Sequence, residues 1–296
     1  MDLRRWVQFA ATVLTNAWWL FPFGGPVIYG GRLKSICAPG LNCYSCPAAA
    51  TACPIGSLQF AMASIKPGLE VGKVHLGLYV LGFLGTLGAL VGRMPCGWLC
   101  PFGLLQELLH KIPSPKLAVW RGLYPLKYVF LALFVVLLPA LVLDDFGYGQ
   151  TWYCKYVCPA GTLEAGLPLL AMKPNLRSMV GPLFYNKLAI LLFFLAWMVA
   201  SRRPFCRVAC PLGAIYSLFN KSSVFRLTRD EEKCVRCKAC ERDCPMGVAF
   251  YEEPNHSNCI RCLKCLRHSC QYGAIGFAIA GSPPPLADKA RPADAP

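Results

Sequence analysis

Charged side chains are scarce in this chain of 296 residues, and acidic ones are the scarcest. Only 15% of the residues are charged, and 15 Asp and Glu stand against 30 Lys and Arg. An average soluble domain has roughly 25% charged residues. Hydrophobic residues make up 55% of the chain, and its mean hydropathy is +0.43. This composition predicts an integral membrane protein rather than a soluble one.

Several motifs are also missing. The chain has no C-x-x-C-H motif for covalent c-type haem, no G-x-x-x-x-G-K-[ST] phosphate loop and no G-x-G-x-x-G fingerprint. Its four histidines form no obvious pair of haem ligands within a membrane. No nucleic-acid motif accompanies the net charge of +15, so we assign the basic residues to solvated faces beside a membrane.

Four apolar runs, at 6–29, 74–91, 128–143 and 183–200, are near the roughly 17–25 residues that cross a bilayer. Helices of a large soluble core are the alternative, but charged loops separate the runs. The first run is too long for a signal-peptide core and is predicted to be a permanent helix. Lys and Arg before the first run, between the second and third, and after the fourth predict cytoplasmic termini and a multi-pass protein of the inner (cytoplasmic) membrane.

Cysteine, in contrast, is abundant: the chain has 18. Eight of them form two runs, "CVRCKACERDCP" from Cys234 and "CIRCLKCLRHSC" from Cys259. The first run has the C-x2-C-x2-C-x3-C-P spacing of bacterial ferredoxins, whose fourth cysteine ligates the neighbouring cluster. In the second run an extra residue precedes Cys270, and Gln271 replaces the proline. Two zinc sites are the alternative, although structural zinc prefers C-x2-C pairs separated by a longer loop.

The crossed ligation of such runs predicts two [4Fe–4S] clusters in one small domain. The predicted ligands of the first cluster are Cys234, Cys237, Cys240 and Cys270. Those of the second cluster are Cys244, Cys259, Cys262 and Cys265.

A Cys-Pro-x-Gly motif recurs among the other ten cysteines, at Cys53, Cys100, Cys158 and Cys210. The last three motifs have another cysteine four residues earlier: Cys96, Cys154 and Cys206. Proline is favoured in the first turn of a helix, so each motif predicts a short helix that begins directly after its cysteine. The free N–H groups and the positive dipole end of such a helix suit an anionic cluster.

These motifs alternate with the apolar runs, which divides the membrane part into tandem halves at about 1–110 and 120–219. The arrangement predicts a cluster on the cytoplasmic side, held by Cys96, Cys100, Cys206 and Cys210. It predicts another on the opposite side, held by Cys46, Cys53, Cys154 and Cys158. Cys37 and Cys43 remain as a disulfide pair or as replacements for Cys46. A rival partition gives one cluster to Cys37, Cys43, Cys46 and Cys53 and leaves Cys154 and Cys158 as a disulfide.

Three other features of the sequence give less specific predictions. Glu107 and His110, behind Cys100, are candidates for a quinone site with a proton acceptor, or are surface residues of an interfacial helix. His75 is a candidate haem ligand or proton acceptor, or a plain interfacial histidine. The Pro- and Ala-rich segment 281–296 is predicted to be disordered.

The motifs "CGWLCP" and "CRVACP", the four apolar runs and the double ferredoxin run resemble the NapH-type membrane ferredoxin proteins, which are related to the membrane parts of NosR and CcoG. This resemblance implies cytoplasmic termini and electron transfer, commonly as a quinol dehydrogenase that serves periplasmic reductases. The cysteines at 37–53 and the motif "CKYVCP" go beyond the two-motif plan of that family and imply extra redox centres.

The expected fold is an α-helical membrane protein. Residues 1–219 form four transmembrane helices with short re-entrant helices in cysteine-bearing loops, and residues 220–280 form a small α+β bicluster ferredoxin domain. The expected function is a membrane-bound electron-transfer subunit with two clusters in each part, which links a cytoplasmic donor or the quinone pool to a partner oxidoreductase. A stand-alone quinol dehydrogenase and a redox assembly factor are the alternatives. No catalytic residue is assigned, and the expected partners are redox subunits, the lipid bilayer and, as a further candidate, quinone.

Overall fold

The computed structural model describes residues 3–18, 26–70, 72, 77–145 and 147–279. His75 and the segment 281–296 lie outside these residues.

Two helices of the described residues are long and apolar enough to cross a membrane. They are Arg121–Leu141 and Pro182–Ala200, each with a mean hydropathy of 1.9 over an 18-residue window. The other two apolar runs contain shorter helices, Leu3–Thr15 and Leu78–Val91. The second of these ends at Gly92, whose φ of 57° lies in the left-handed region that ends helices. Four transmembrane helices are therefore not confirmed: among the described residues, two helices have the length of a membrane span.

Short helices follow the four Cys-Pro motifs, as the sequence predicts. Each begins at the proline, with the cysteine as its N-cap in an extended conformation: Pro54–Ala63, Pro101–Leu109, Pro159–Gly161 and Pro211–Leu218. In the last three motifs a short helical turn also precedes the cap, at Met94–Trp98, Tyr153–Val157 and Pro204–Val208. Each Cys-x3-Cys-Pro motif therefore forms two short helices that meet at its second cysteine.

The remaining helical segments are connections or parts of longer helices. The helix Arg121–Leu141 consists of Arg121–Leu123, Leu126–Val129, the π-helical Phe130–Leu137, and Leu138–Leu141. The connecting segments are Arg32–Ser35, Ile65–Glu70, Thr162–Gly166, Leu167–Met172 and Pro174–Met179.

The C-terminal part is a small α+β unit. Strands β1 (Phe225–Arg229) and β2 (Ile275–Ile279) pair antiparallel, with Leu227 opposite Phe277. Between them lie a helix at Ala239–Arg242 and a π-helical turn at Cys265–Ser269. The strands close the chain around both cysteine runs, because the runs lie between them in sequence.

This unit packs against the helical part through the loop that carries Cys96. Trp98 Nε1 donates to the carbonyl of Arg261 at 3.0 Å, and a Cβ on Gly97 would lie 2.7 Å from the carbonyl oxygen of Ile260. Asn220 donates to the carbonyls of His256, Ser257 and Cys259, at the start of the second cysteine run. The ferredoxin-like unit is thus fixed against the helical part by hydrogen bonds and close backbone contact.

Candidate metal centres

The two C-terminal cysteine runs have the same backbone conformation. Arg236 and Lys238 in the first run, and Arg261 and Leu263 in the second, have φ values of 53°, 61°, 47° and 58°. Left-handed conformations cost non-glycine residues roughly 1–2 kcal/mol each. They persist where the surroundings enforce them, which is common at ligand-binding loops. The matching pairs bend both loops around an interior, as a bound cluster requires.

The structure brings the eight cysteines of these runs into the two predicted groups. One cavity is lined by the four cysteines of the first group, Cys234, Cys237, Cys240 and Cys270. In the second group burial raises the pKa of the Cys259 thiol to about 12, and Cys244 and Cys262 raise it further by their proximity. Burial and these same thiols also raise the pKa of Cys265. We refer to these groups as quartets one and two.

A third quartet lies in the core of the helical part. It consists of Cys96, Cys100, Cys206 and Cys210, each at most 5% exposed. Burial raises the pKa of the Cys100 thiol to about 12, and the nearby Cys206 and Cys96 raise it further. Burial and the other three thiols of the quartet likewise raise the pKa of Cys210. The two Cys-x3-Cys-Pro motifs therefore meet as the sequence predicts.

A fourth group contains Cys43 where the sequence predicts Cys46. Burial raises the pKa of the Cys43 thiol to about 12, and Glu164, Cys53 and Cys154 raise it further. Burial also raises the pKa of the Cys158 thiol, and the nearby Cys154, Cys43 and Cys53 raise it further. Quartet four is therefore Cys43, Cys53, Cys154 and Cys158.

The difference at Cys46 has a local cause. The backbone N–H of Cys46 donates to the carbonyl of Cys43 at 3.1 Å, so the chain turns between the two residues. The turn directs the Cys46 thiol to Asn16 Oδ1, at 3.9 Å, and away from the quartet. The Cys37 thiol hydrogen-bonds the side chain of Ser57 instead. All 18 cysteines, which lie within the described residues, are free thiols, so neither disulfide weighed above is formed.

Quartets three and four lie closer together than opposite faces of a membrane. The backbone N–H of Leu41 donates to Cys100 Sγ at 3.4 Å, and Leu41 precedes Cys43 by two residues. Two residues span at most about 7 Å, whereas a hydrocarbon core is about 30 Å thick. The expectation that the membrane separates these groups is therefore wrong in this structure, because the loop 37–53 folds inward to Cys100.

In the part of the chain that the structure describes, no three His, Cys, Asp or Glu side chains are positioned around a single metal ion.

Hydrogen bonds to sulfur occur at equivalent positions of the repeat. Gln59, six residues after Cys53, donates from Nε2 to Cys154 Sγ at 3.0 Å. Gln106, six residues after Cys100, donates from Nε2 to Cys206 Sγ at 3.0 Å. Such donors stabilise thiolates that carry a cluster's charge. The sequence holds a signal for this role, because glutamine recurs six residues after the cysteine in both motifs.

Buried basic side chains next to quartet three also support an anionic occupant. The guanidinium of Arg93, a fully buried residue, donates to the carbonyl of Cys206 and to Asn258 Oδ1. Lys127, 1% exposed, donates from Nζ to the same Asn258 oxygen at 2.5 Å. Arg93 pairs with no carboxylate of the described residues, and an uncompensated buried charge costs several kcal/mol. The residues present therefore fit a negatively charged iron–sulfur cluster.

Glu107 is neither a surface residue nor a free base. Its carboxylate lies 2.5 Å from Arg4 Nη2 and 2.7 Å from Arg203 Nη2. Burial raises the pKa of Glu107, but Arg203 and Arg4 outweigh this effect and lower the pKa to about 2. With a pKa this low, Glu107 stays ionised at neutral pH and is a poor proton acceptor for a quinone site.

Comparisons with known proteins identify 4Fe-4S binding domains along the chain. A family model described as a 4Fe-4S binding domain matches residues 75–119, 127–176 and 184–229, and another of the same description matches 227–249. An uncharacterized protein of Methanocaldococcus jannaschii is 34% identical over 71% of this chain and 81% of its own length. This chain belongs to the NapH/NosR-like family of ferredoxin-type proteins. It is an iron–sulfur protein of electron transfer.

Two named relatives match over smaller parts. The regulatory protein NosR of Stutzerimonas stutzeri is 28% identical over 57% of this chain, but over only 22% of its own length. The methylamine utilization ferredoxin-type protein MauN of Paracoccus denitrificans is 29% identical over 59% of this chain and 53% of its own length. No solved structure matches the chain. The family model matches once around each of the three Cys-x3-Cys-Pro motifs, which supports the internal repeat.

Proposed function

We propose that this chain is a membrane-bound electron-transfer subunit that relays single electrons through four [4Fe–4S] clusters. The observation that carries the proposal is the series of four cysteine quartets in one packed chain. When bound, such clusters take up and release one electron at a time. The chain's own residues supply the ligands, the order of the sites and the compensating charge.

Quartets one and two are connected by one short helix. Cys240 of quartet one and Cys244 of quartet two lie at the two ends of one short helix, Ala239–Arg242. Both also line a second cavity, together with Cys259, Cys262 and Cys265. This arrangement places the two quartets side by side.

Quartets two and three are joined across the contact between the two parts of the chain. Asn258, next to Cys259, accepts hydrogen bonds from Arg93 and Lys127, the buried basic residues beside quartet three. Gly97, next to Cys96, touches the Ile260 backbone. Hydrogen bonds to Asn258 and the backbone contact at Gly97 therefore connect the neighbours of ligands from both quartets.

Quartets three and four meet around Tyr153, a buried residue with 1% exposure. Its hydroxyl donates to the carbonyl of Ala209, next to Cys210, at 3.0 Å, and its own chain neighbour is Cys154. Leu41 bridges the same two quartets from the other side through its bond to Cys100 Sγ. The four quartets thus form an uninterrupted series of neighbours.

The membrane location rests on the two long helices. Only 17% of each 18-residue apolar window is buried, and large side chains such as Leu137, Leu192 and Phe193 are exposed. Apolar surfaces of this extent mark contact with lipid or with another protein. Arg and Lys lie near the start of the helix Arg121–Leu141 and just after the helix Pro182–Ala200. This distribution favours a cytoplasmic position for these two helix ends and for both termini, in a protein of the cytoplasmic membrane. The partners we propose are redox subunits of a membrane complex.

Low-temperature EPR of the anaerobically purified chain, fully reduced with dithionite, tests the relay. We expect spectra broadened by magnetic interaction between neighbouring reduced clusters, with about four spins per chain, one for each cluster. Two non-interacting clusters, or spins confined to the ferredoxin-like unit, would contradict the proposed series.

A further inference from the structure

A cavity of about 270 Å³ lies between the helical part and the ferredoxin-like unit. The N-terminal helix contributes Arg4 and Arg5, the helix after Cys100 contributes Glu107, and the second cysteine run contributes residues from Cys262 onward. A water molecule occupies about 30 Å³ of liquid, so the cavity has room for a small molecule or a headgroup.

The lining of this cavity is strongly cationic. Seven Arg and Lys side chains face two carboxylates, Glu107 and Asp243. Glu107 is paired with Arg4 and Arg203, and Asp243 Oδ2 accepts from Ser269 Oγ at 2.7 Å. Arg5 is a third arginine near Glu107, and the cations without an ion pair among the described residues are Lys111, Arg202, Lys264 and Arg267.

Two of the lining side chains hold buried nitrogen atoms without a hydrogen-bond partner among the described residues. These atoms are Arg5 Nε and His110 Nδ1. Arg5 Nε lies 4.0 Å from Glu107 Oε2, too far for a hydrogen bond. Buried polar groups are nearly always satisfied, so the unpaired donor of Arg5 indicates an acceptor supplied from outside the chain.

The positive charge of the cavity is not explained by a neighbouring cluster alone. Cys262 is the one lining residue, among those described, that belongs to a quartet. Lys111 and Arg202 come from the ends of two helices on the helical side. A planar guanidinium beside ammonium groups is the usual arrangement for binding phosphate oxygens.

We propose that this cavity binds a phosphate-bearing anion, either the headgroup of an anionic lipid or a soluble phosphorylated compound. The bound anion would lie against quartet two and within reach of Gln106, the sulfur donor of quartet three. It would add negative charge next to both groups and thereby respond to their redox state.

The test uses the full chain with its clusters and two probes. Calorimetric titration with inorganic pyrophosphate measures binding of a soluble anion. Native mass spectrometry after release from nanodiscs of phosphatidylglycerol or of phosphatidylcholine measures retention of a lipid. The variant is Arg5→Gln with Lys111→Gln, and the matched control is Lys173→Gln, which removes an exposed charge in the segment between the two long helices.

Binding of one pyrophosphate, weakened about tenfold or more in the double variant and unchanged in the control, supports a soluble ligand. Retention of phosphatidylglycerol alone, lost in the double variant, supports a lipid headgroup. No binding of either probe, or equal binding by the double variant and the control, would overturn the proposal. Iron content, measured on the same samples, tests the cluster proposal separately.

Discussion

Gln106 Nε2 donates a hydrogen bond to Cys206 Sγ at 3.0 Å, and the two residues belong to opposite halves of the internal repeat. Gln59 repeats this relationship with Cys154 at the same distance. The halves are therefore linked twice through sulfur, in addition to the apolar packing of their helices.

The glutamines are predicted to set reduction potentials. Replacing Gln106 with Leu removes an N–H donor that stabilises the more negative, reduced state of the cluster in quartet three. We therefore expect the reduction potential of that cluster to fall by about 40 mV, equivalent to about 1 kcal/mol for one electron. Gln59→Leu is expected to affect a different cluster. Redox titration followed by EPR measures both shifts, with Gln150→Leu as the control. Unchanged potentials in both variants would refute this role.

Gly97 is predicted to be essential for docking of the ferredoxin-like unit. Gly97→Ala would place a Cβ 2.7 Å from the Ile260 carbonyl oxygen, and such overpacking costs about 1–3 kcal/mol. We expect faster proteolysis between the two parts and loss of magnetic interaction between quartets two and three. Gly82→Ala, whose Cβ would meet no atom within 4 Å, is the matched control. Identical behaviour of the two variants would argue against a tight contact.

Cys43 is predicted to be a cluster ligand, whereas Cys46 is not. Cys43→Ser should remove about four irons per chain, the content of one [4Fe–4S] cluster, because Cys43 lies with Cys53, Cys154 and Cys158. Cys46→Ser should leave the iron content unchanged, because its thiol faces Asn16. Iron analysis of both anaerobically purified variants decides between them, and the opposite pattern would restore Cys46 as the ligand.

Glu107 is predicted to stabilise the fold as an ion. Its pKa is about 2, below the ordinary 4.5, so its contribution is complete above pH 4.5 and is lost only as the pH falls towards 2. Glu107→Gln leaves Arg4 and Arg203 without their carboxylate and should cost about 3–5 kcal/mol at neutral pH.

Thermal unfolding at several pH values measures this contribution. The difference in stability between the wild type and Glu107→Gln should stay constant from pH 8 to pH 5. A difference that shrinks over this interval would mean that Glu107 takes up a proton there, as a proton acceptor does.

Much of the site could be predicted from the sequence because ligand spacing is local. The runs at Cys234 and Cys259 contain their own geometry, and the proline after each repeated cysteine determines where a helix begins. Quartets one, two and three follow from these patterns. Ligation by each quartet stays a prediction until iron is measured.

The remaining features depend on long-range contacts that spacing does not encode. The choice of Cys43 over Cys46 depends on one turn, and the inward fold of the loop 37–53 depends on the contact of Gly40 with Cys100. The arginine pairs of Glu107 come from residues about a hundred positions away in the chain. Hydropathy likewise does not mark where helices end, because the helix of the first apolar run, 6–29, ends at Thr15.

Iron and acid-labile sulfide per chain, measured on anaerobically purified protein, test the central claim most directly. Four quartets, each with one [4Fe–4S] cluster, predict about sixteen irons and sixteen sulfides, and Cys210→Ser should lower both by about four. About eight irons, unchanged in Cys210→Ser, would confine the clusters to the ferredoxin-like unit and contradict the proposed relay.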